Sequence, residues 1–188
     1  MLQARLKLAS RDQNEFNAAN EDLIRISQNA KVPLAETATL YTRIAASVKD
    51  LGVSQRDIAG TTEAVSLALR ISVASMSESS AVMLQFSQAI ASGVLRGEEF
   101  NSMAEAAPRV LQALAASLNV PVGQLRAMAK EGQLTRDILI NGLLQELPKL
   151  QAEAASLPNT IGAALTDLQN KLLLTIGQFD KLTGTTNS

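Results

Sequence analysis

Residues that end helices recur at short intervals along this chain, and no other feature of the sequence restricts the fold as much. Glycine or proline interrupts the apolar periodicity at five main points: Gly52, Gly93, Pro108, Pro121 and Gly132. Between these breaks apolar residues recur every three or four positions, as on one face of an α-helix. The breaks exclude a continuous rod, which for 188 residues would be about 280 Å long. The sequence therefore predicts an all-α fold, a compact multi-helix bundle of about eight short helices.

Local signals predict where several helices begin and end. Hydroxyl side chains suited to cap a helix start occur at three positions: Ser54, Ser75 and Thr135. Two of them, with Asp57 and Glu78 three residues later, have the spacing of a capping box. Prolines suited to the first helical residue, where no N–H is needed, are Pro33, Pro108 and Pro121. We expect Pro148 and Pro158 to interrupt the stretch that follows Thr135, because proline removes a helical hydrogen bond.

The N-terminal segment, residues 1–12, precedes the helical periodicity, which begins at Gln13. Residues 3–8 alternate polar and apolar side chains, and that period of two permits a short strand. A lone strand would have no pairing partner in an all-α chain. We therefore expect a frayed terminus, which leads into a helical domain over residues 13–158.

The last part of the chain, residues 159–183, carries a different period. Apolar residues there repeat at alternating spacings of four and three, at Ile161, Leu165, Leu168, Leu172, Thr175, Phe179 and Leu182. This is an a/d heptad seam of about three heptads with one polar position, Thr175. The sequence predicts a C-terminal amphipathic heptad helix, either a coiled coil through which the chain self-associates or a helix packed on its own bundle. Residues 184–188 are a polar tail.

Absent residue types exclude several kinds of chemistry. The chain has no Cys and no His, so a disulfide framework, a thiolate nucleophile and a Ser-His-Asp triad cannot be built within it. Its net charge of −1 argues against a broad nucleic-acid-binding surface, which needs a basic excess. The uncharged stretch 79–95 is too short and too rich in Ser and Gln for a membrane span of about 20 apolar residues. We expect no cofactor, no metal, no nucleic acid and no stable membrane span.

Acidic residues around position 100 invite comparison with a glycosidase, which needs two carboxylates on either side of a sugar bond. The candidates are Glu98, Glu99 and Glu105. Glu98 and Glu99 are adjacent, so they do not face each other on a helix, and they suit the positive end of a helix dipole. We expect Arg96 to form a local ion pair with them. Residues 93–97 lack the Gly-Lys-Ser/Thr ending of a phosphate loop and predict a tight turn.

A second candidate, residues 54–59, resembles the opening of a DNA-reading helix-turn-helix. That motif needs a turn glycine about four residues after Ala59 and a basic recognition helix. Glu63 stands at that position, and Arg70 is the one cation of the helix that follows. We therefore predict no catalytic, cofactor-binding or metal-binding residues in the chain, and we expect that it is not an enzyme.

The run SQAIASGVLRGEEFNS at residues 87–102 is the most specific motif of the sequence. It resembles the tape measure domain of bacteriophage tail proteins. The resemblance extends over roughly residues 13–145, and its further matching positions are 33–34, 40–43, 51–52, Glu105, 107–108, 118–120, 125–126 and 130–132. Two positions depart from the family, because Val73 and Asn119 stand where family members often have glycine.

The resemblance implies a fragment of a longer tape measure protein of a long-tailed phage or prophage. Such proteins occupy the lumen of the tail tube, and their length sets the length of the tube. The implied partners are the tail tube protein, tail assembly chaperones and tail tip proteins, with synthesis in the cytoplasm of the host bacterium. The implied role is non-enzymatic, in tail assembly and length determination.

Other interpretations of the chain stay open. One is a cell-wall-degrading module of a tail protein, and the less favoured ones are a helical DNA-binding domain or an effector. A compact fold of this size has a radius of gyration of about 16 Å. Its longest dimension is therefore far shorter than the length of the same chain when extended. We therefore predict that this domain is a folded docking module, and that the measuring segment lies elsewhere in the parent protein.

Overall fold

The computed structural model describes residues 2–158, 164 and 166–175. Most of these residues are helical. No strand is formed among the described residues, although Val94 and Thr135 make an isolated antiparallel bridge. The predicted all-α bundle is confirmed. Residues 166–175, called the C-terminal helix below, are helical. The helices before it are α1 Leu2–Ala9, α2 Gln13–Ala30, α3 Leu34–Val48, α4 Gln55–Ile71, α5 Met76–Ser92, α6 Gly97–Ala106, α7 Pro108–Ser117, α8 Val122–Lys130 and α9 Arg136–Ala155.

Helix α4 lies at the centre of the bundle. It packs against α9 and α2, and it also contacts α3 and α7. Eleven of its residues, between Ile58 and Leu69, are buried. Buried residues therefore occur on all sides of α4, as expected for an enclosed helix. Small residues also bring neighbouring helices close, since a Cβ added at Gly142 of α9 would lie 2.6 Å from Ser117 Oγ of α7. The core is therefore aliphatic and tightly packed.

The predicted helix ends are largely confirmed. Ser54, Ser75 and Thr135 each accept a backbone N–H from the residue three positions later. Ser75 and Glu78 form the complete, reciprocal capping box. Glycines with positive φ follow the helices that they were predicted to end, with φ of 71°, 86° and 70° at Gly52, Gly93 and Gly132. These ends were predictable because their hydrogen bonds are local.

Proline placement agrees with the sequence prediction at some positions and differs at others. Pro108 is the first residue of α7, as predicted, whereas Pro33 and Pro121 lie one position earlier, as N-cap residues. Pro158 follows the end of α9. The prediction that Pro148 interrupts the chain is wrong, because α9 continues through it. Leu143 and Leu150 are fully buried on either side of it, and this packing offsets the roughly 3 kcal/mol that an interior proline costs.

The expectation for the N-terminus is also wrong, both as a strand and as a frayed end. Residues Leu2–Ala9 form helix α1, which contacts α3 and α2. Leu6 is 2% exposed, and the Ser10 hydroxyl donates to the Leu6 carbonyl at 2.8 Å. Tertiary packing of this side chain outweighs the alternating pattern, because a helix satisfies its own backbone and needs no partner strand.

Candidate functional site

The motif that carries the resemblance lies in a turn joined to a second turn of the bundle. After α5 ends at Gly93, the Leu95 N–H donates to the Leu134 carbonyl at 2.8 Å, and the Arg136 N–H donates to the Gly93 carbonyl at 2.9 Å. The α5–α6 turn and the α8–α9 turn are therefore held together by backbone hydrogen bonds. Residues 93–96 connect α5 to α6, as the sequence predicts, but as a short extended link and not as a tight turn: Val94 pairs with Thr135 in a β-bridge, and Gly97 already belongs to α6. This link fixes the start of α6 relative to α9.

Side chains of the same motif enter the core. Ile90, Leu95 and Phe100 are each fully buried. The Arg126 guanidinium of α8 lies 5.7 Å from the centroid of the Phe100 ring, within the range of a cation–π contact. The most specific motif of the sequence therefore joins α5, α6, α8 and α9, and its apolar side chains form part of the core.

The three candidate carboxylates do not form a concentrated acidic centre. Glu98 and Glu105 are exposed, and Glu99 is partly buried. Among the described residues, the Glu99 Oε2 atom is enclosed without a hydrogen-bond partner. Glu98 and Glu99 occupy the first turn of α6, as predicted from the helix dipole. The groups of acidic residues in the described ranges include none that could hold a metal ion.

The predicted ion pair of Arg96 with these glutamates is wrong for the part of the chain that the structure describes. Arg96 is exposed and belongs to none of the ion pairs there. It is the N-cap residue of α6, with an extended backbone at φ −98° and ψ 174°. Arg96 precedes the helix, whereas Glu98 and Glu99 lie inside it. The i to i+3 spacing brings two charges together only when both residues are on one helix face, so it does not pair Arg96 with Glu99.

The second candidate motif, residues 54–59, begins the buried central helix. Ser54 caps α4, and Ala59 is 4% exposed, so this helix cannot lie in a DNA groove while the bundle is folded. Glu63 is also 4% exposed. It accepts from Arg25 Nη1 at 2.8 Å and from Gln151 Nε2 at 2.9 Å, which ties α4 to α2 and α9.

This buried polar network was not predicted. Hydrogen bonding, first to Asp22 and also to Glu63, raises the pKa of Arg25 above its ordinary value. A buried carboxylate needs such partners, since an unpaired one is costly. The apolar periodicity of α4 did not reveal the network, because Glu63 lies on the side of the helix opposite the stripe of Ile58, Val65 and Leu69. Its partners come from two distant helices, so their identity was not visible in the sequence either.

The C-terminal helix binds the bundle through a polar contact that the sequence did not reveal. Asn170 is 1% exposed. Its Nδ2 donates to the Val32 carbonyl at 3.0 Å, and its Oδ1 accepts the Leu34 N–H at 3.0 Å. Pro33, the N-cap residue of α3, supplies no side-chain hydrogen bond to that helix. Asn170 therefore caps α3 from a different helix.

An ion pair lies beside this cap. Lys31 Nζ is 3.3 Å from Asp167 Oδ1, and Lys171 Nζ is 2.9 Å from Asp167 Oδ2. The hydrogen bond from Lys171, with a smaller contribution from Lys31, lowers the pKa of Asp167. The C-terminal helix thus has one face, defined by Thr166, Asp167 and Asn170, that is turned to the bundle; Thr166 is 5% exposed.

The heptad seam is on the opposite side of this helix. Leu168 and Leu172 are 64% and 60% exposed, and Thr175 is exposed as well. The sequence offered a helix that packs on its own bundle as one interpretation of the seam. The C-terminal helix does pack on the bundle, but through its polar face and not through the seam, so this interpretation is wrong about the face involved. The other seam positions, Ile161, Leu165, Phe179 and Leu182, lie outside the described residues.

A comparison with protein-family models gives a match. A family model described as "Tape measure protein" matches residues 1–181. The chain belongs to the tape measure protein family. The matched range is wider than the resemblance over residues 13–145, since it adds α1 and the C-terminal helix. This chain is thus a tape measure domain of a phage tail. No curated protein and no solved structure matches it.

The two departures from the family pattern have a common structural basis in this tape measure domain. Val73 and Asn119 both follow helices and both have positive φ, of 56° and 55°. Glycine adopts this left-handed conformation without strain, which is why it suits these positions. Asparagine tolerates it, whereas a β-branched residue such as valine is strained there. None of the helices in the described part of the domain combines the length and the hydropathy of a membrane span.

Proposed function

We propose that this tape measure domain is a folded docking module, which acts in tail assembly through protein–protein contacts and without enzymatic activity. The measuring segment then lies elsewhere in the parent protein. The proposed partners are the tail tube protein, the tail assembly chaperones and the tail tip proteins. The proposed path of the protein is synthesis in the host cytoplasm followed by residence in the lumen of the tail tube.

One observation carries this proposal: the family motif is part of the hydrophobic core. Ile90, Leu95 and Phe100 have no exposed surface, and the connection that contains Leu95 is hydrogen-bonded to residues 134–136. A segment that measured length would have to be extended, and these contacts would then be lost. Burial of these side chains is instead what a folded domain requires.

The dimensions of the helices support the same proposal. The longest helix with defined bounds, α9, has 20 residues and is about 30 Å long. The helices fold back on one another around α4. An added or removed residue in a connecting loop therefore changes the surface of the domain and not its length along a tail.

The non-enzymatic part of the proposal is supported by the residues available for chemistry. The chain has neither His nor Cys, and Glu98 and Glu105 are exposed to solvent. A general acid in a glycosidase needs a raised pKa, which a nonpolar pocket supplies. A peptidoglycan-hydrolysis assay with the purified domain addresses the cell-wall-degrading alternative, and turnover by it would overturn this part.

An insertion distinguishes a folded module from a ruler. The α3–α4 loop is suitable, because residues 49–52 are exposed and a Cβ at Gly52 would meet nothing within 4 Å. We would insert a helix-forming segment of about 20 residues between Asp50 and Leu51 in the parent gene and measure tail length by electron microscopy. A folded module predicts unchanged length, whereas an extended ruler predicts tails about 30 Å longer. The same insertion elsewhere in the parent is the control, and it should lengthen the tail.

A further inference from the structure

A groove of about 220 Å³ lies between α3 and α5 on the surface of the bundle. One wall is the stripe of α3 from Glu36 to Arg43, and the other is the stripe of α5 from Ser80 to Ser87. Each stripe contributes four residues at spacings of three, one and three, which lie on one face of a helix. The groove therefore extends over two helical turns, about 10 Å.

The two helices that form the walls run in the same direction. Their C-terminal ends meet at Arg136, whose Nη1 donates to the Ser47 carbonyl at 2.9 Å and whose backbone N–H donates to the Gly93 carbonyl at 2.9 Å. Arg43 Nη1 also donates to Ser87 Oγ at 3.3 Å across the groove. The acidic end of the groove thus lies toward the N-terminal ends of both helices, and the basic end lies toward their C-terminal ends.

The floor between the charged ends is apolar. Leu40 and Met83 are buried, whereas Leu84 is 39% exposed at the rim. A groove of this volume accommodates one or two apolar side chains, and it is smaller than the roughly 300 to 1,000 Å³ of small-molecule sites. Its size therefore favours side chains of a macromolecule over a free ligand.

The two charges of the groove lack partners. In the ranges that the structure describes, neither Glu36 nor Arg43 belongs to an ion pair. They are seven positions apart on α3, about 10 Å, so they do not pair with each other. We propose that the groove binds an amphipathic helix of a partner protein, which places an apolar stripe over Leu84, a basic residue beside Glu36 and an acidic residue beside Arg43.

The walls of the groove favour a helix over an extended segment. Thr39 Oγ1 donates to the Ala35 carbonyl at 2.8 Å, and Ser87 Oγ donates to the Leu84 carbonyl at 2.7 Å. Both walls are helices, whose backbone groups are paired internally. An extended segment would bring backbone N–H and C=O groups that need partners, whereas a helix satisfies its own and packs in the depression between two others.

The charge pattern restricts the partner further. A uniformly acidic helix would be repelled at Glu36, and a uniformly basic one would be repelled at Arg43. Since a helix can lie in the groove in either direction, the order of the two charges along the partner is not fixed. This inference rests on the proposed function only in giving the docking module a surface. The binding experiment below and the tail-length experiment have separate readouts, so the two proposals can fail independently.

A titration of the full 188-residue chain followed by methyl NMR tests the proposal. The probe is an alanine-rich peptide of about 18 residues, long enough to be helical, with Lys, two Leu and Glu at positions i, i+3, i+4 and i+7. We expect saturable shifts that are largest at the methyl groups of Leu40, Met83 and Leu84.

Charge exchange provides the sharpest variant. Glu36→Lys should raise the Kd for this peptide at least about tenfold, and the variant should instead prefer a peptide with Glu at both charged positions. Glu21→Lys makes the same change of charge at an exposed position of α2 outside the groove, and it should leave both affinities unchanged.

A second pair of variants tests the apolar floor without a change of charge. Leu84→Ser should raise the Kd about fivefold or more, because an apolar contact of the bound helix is lost. Ala81→Ser, at an exposed position of α5 that does not line the groove, is the matched control. Circular dichroism should show the same helix content in all variants.

Several outcomes would overturn the proposal. They are the absence of saturable shifts, an effect of Glu21→Lys equal to that of Glu36→Lys, and an unchanged peptide preference of Glu36→Lys. Light scattering addresses a second copy of the chain as the occupant. A Leu84→Ser variant with the 19.9 kDa mass of one chain, beside a wild-type protein with a multiple of it, would show that a second copy covers the groove and would also overturn the proposal.

Discussion

Asn170 caps a helix that begins 136 residues before it: its side-chain oxygen accepts the backbone N–H of Leu34 at 3.0 Å. Helix caps are usually supplied by the residue that precedes the helix. Pro33 has no side-chain acceptor to offer, so the α3 N-terminus depends on the C-terminal helix. The C-terminal helix and the α2–α3 connection are thereby coupled through one carboxamide.

Asn170→Ala should lower the free energy of unfolding by about 1 to 2 kcal/mol, because it removes a cap and leaves the buried Val32 carbonyl unpaired. The amide of Leu34 should also exchange with solvent faster. Urea denaturation and hydrogen exchange measure the two effects. Gln169→Ala, at an exposed neighbouring position, is the control for helix propensity and should have little effect. Equal stability of the two variants would contradict the capping role.

Val73→Gly should stabilise the domain by about 1 kcal/mol. Val73 has φ of 56° and is 77% exposed, so the substitution relieves left-handed strain and loses little burial. Asn119→Gly should give a smaller gain, because asparagine tolerates this conformation. Thermal unfolding of both variants provides the comparison. A lower Tm for Val73→Gly would show that its side-chain contacts outweigh the strain.

Gly142→Ala should destabilise the domain by about 1 to 3 kcal/mol, although alanine is the better helix former. The new Cβ would lie 2.6 Å from Ser117 Oγ and 3.2 Å from Leu114 Cδ2, and Ser117 is held by a 2.8 Å hydrogen bond to the Leu114 carbonyl. Gly123→Ala in α8 is the control, since nothing lies within 4 Å of its Cβ. It should stabilise by about 0.5 to 1 kcal/mol. Changes of the same sign in both variants would contradict close α7–α9 packing.

Stability should fall as pH rises above 10, because of Tyr41. Burial, together with smaller contributions from the charges of Glu15 and Asp22, raises the pKa of this phenol from 10.0 to about 12. The folded state therefore holds its proton between pH 10 and about 12 while the unfolded state releases it, which favours unfolding in that window. Tyrosinate absorbance reports this titration directly, since the chain has one Tyr and no Trp.

Tyr41→Phe is the control for this titration. It should remove the tyrosinate signal and make the alkaline loss of stability less steep than in the wild type. A tyrosinate midpoint near pH 10 in the folded wild-type domain would show that the phenol is solvated and would contradict its burial.

Features with local causes were predictable from the sequence. Ser75 and Glu78 are three residues apart and satisfy each other's backbone, so no other part of the fold is needed to form that cap. Gly93 ends α5 for a similar reason. The heptad period was visible as well, because it depends only on spacing along one helix.

Features with distant partners were not predictable. Asn170 looks like an ordinary polar residue until the α2–α3 connection lies beside it, and Glu63 looks like a surface carboxylate until Arg25 and Gln151 meet it. Pro148 was misassigned because its local preference was known and the packing of α9 was not. The period of the seam gave the apolar face, but only the docked position of the helix shows that this face points outward.

Tail length after removal of codons 33–145 from the parent gene, measured by electron microscopy, tests most directly whether this domain is a folded module. The deletion removes α3 to α8 and the first half of α9, so the core cannot form. The account predicts absent or misassembled tails. Intact tails shortened by about 170 Å, the helical length of the deleted segment at 1.5 Å per residue, would show that the segment is part of the ruler, and normal tails of normal length would show that the domain is dispensable; either result would contradict the account.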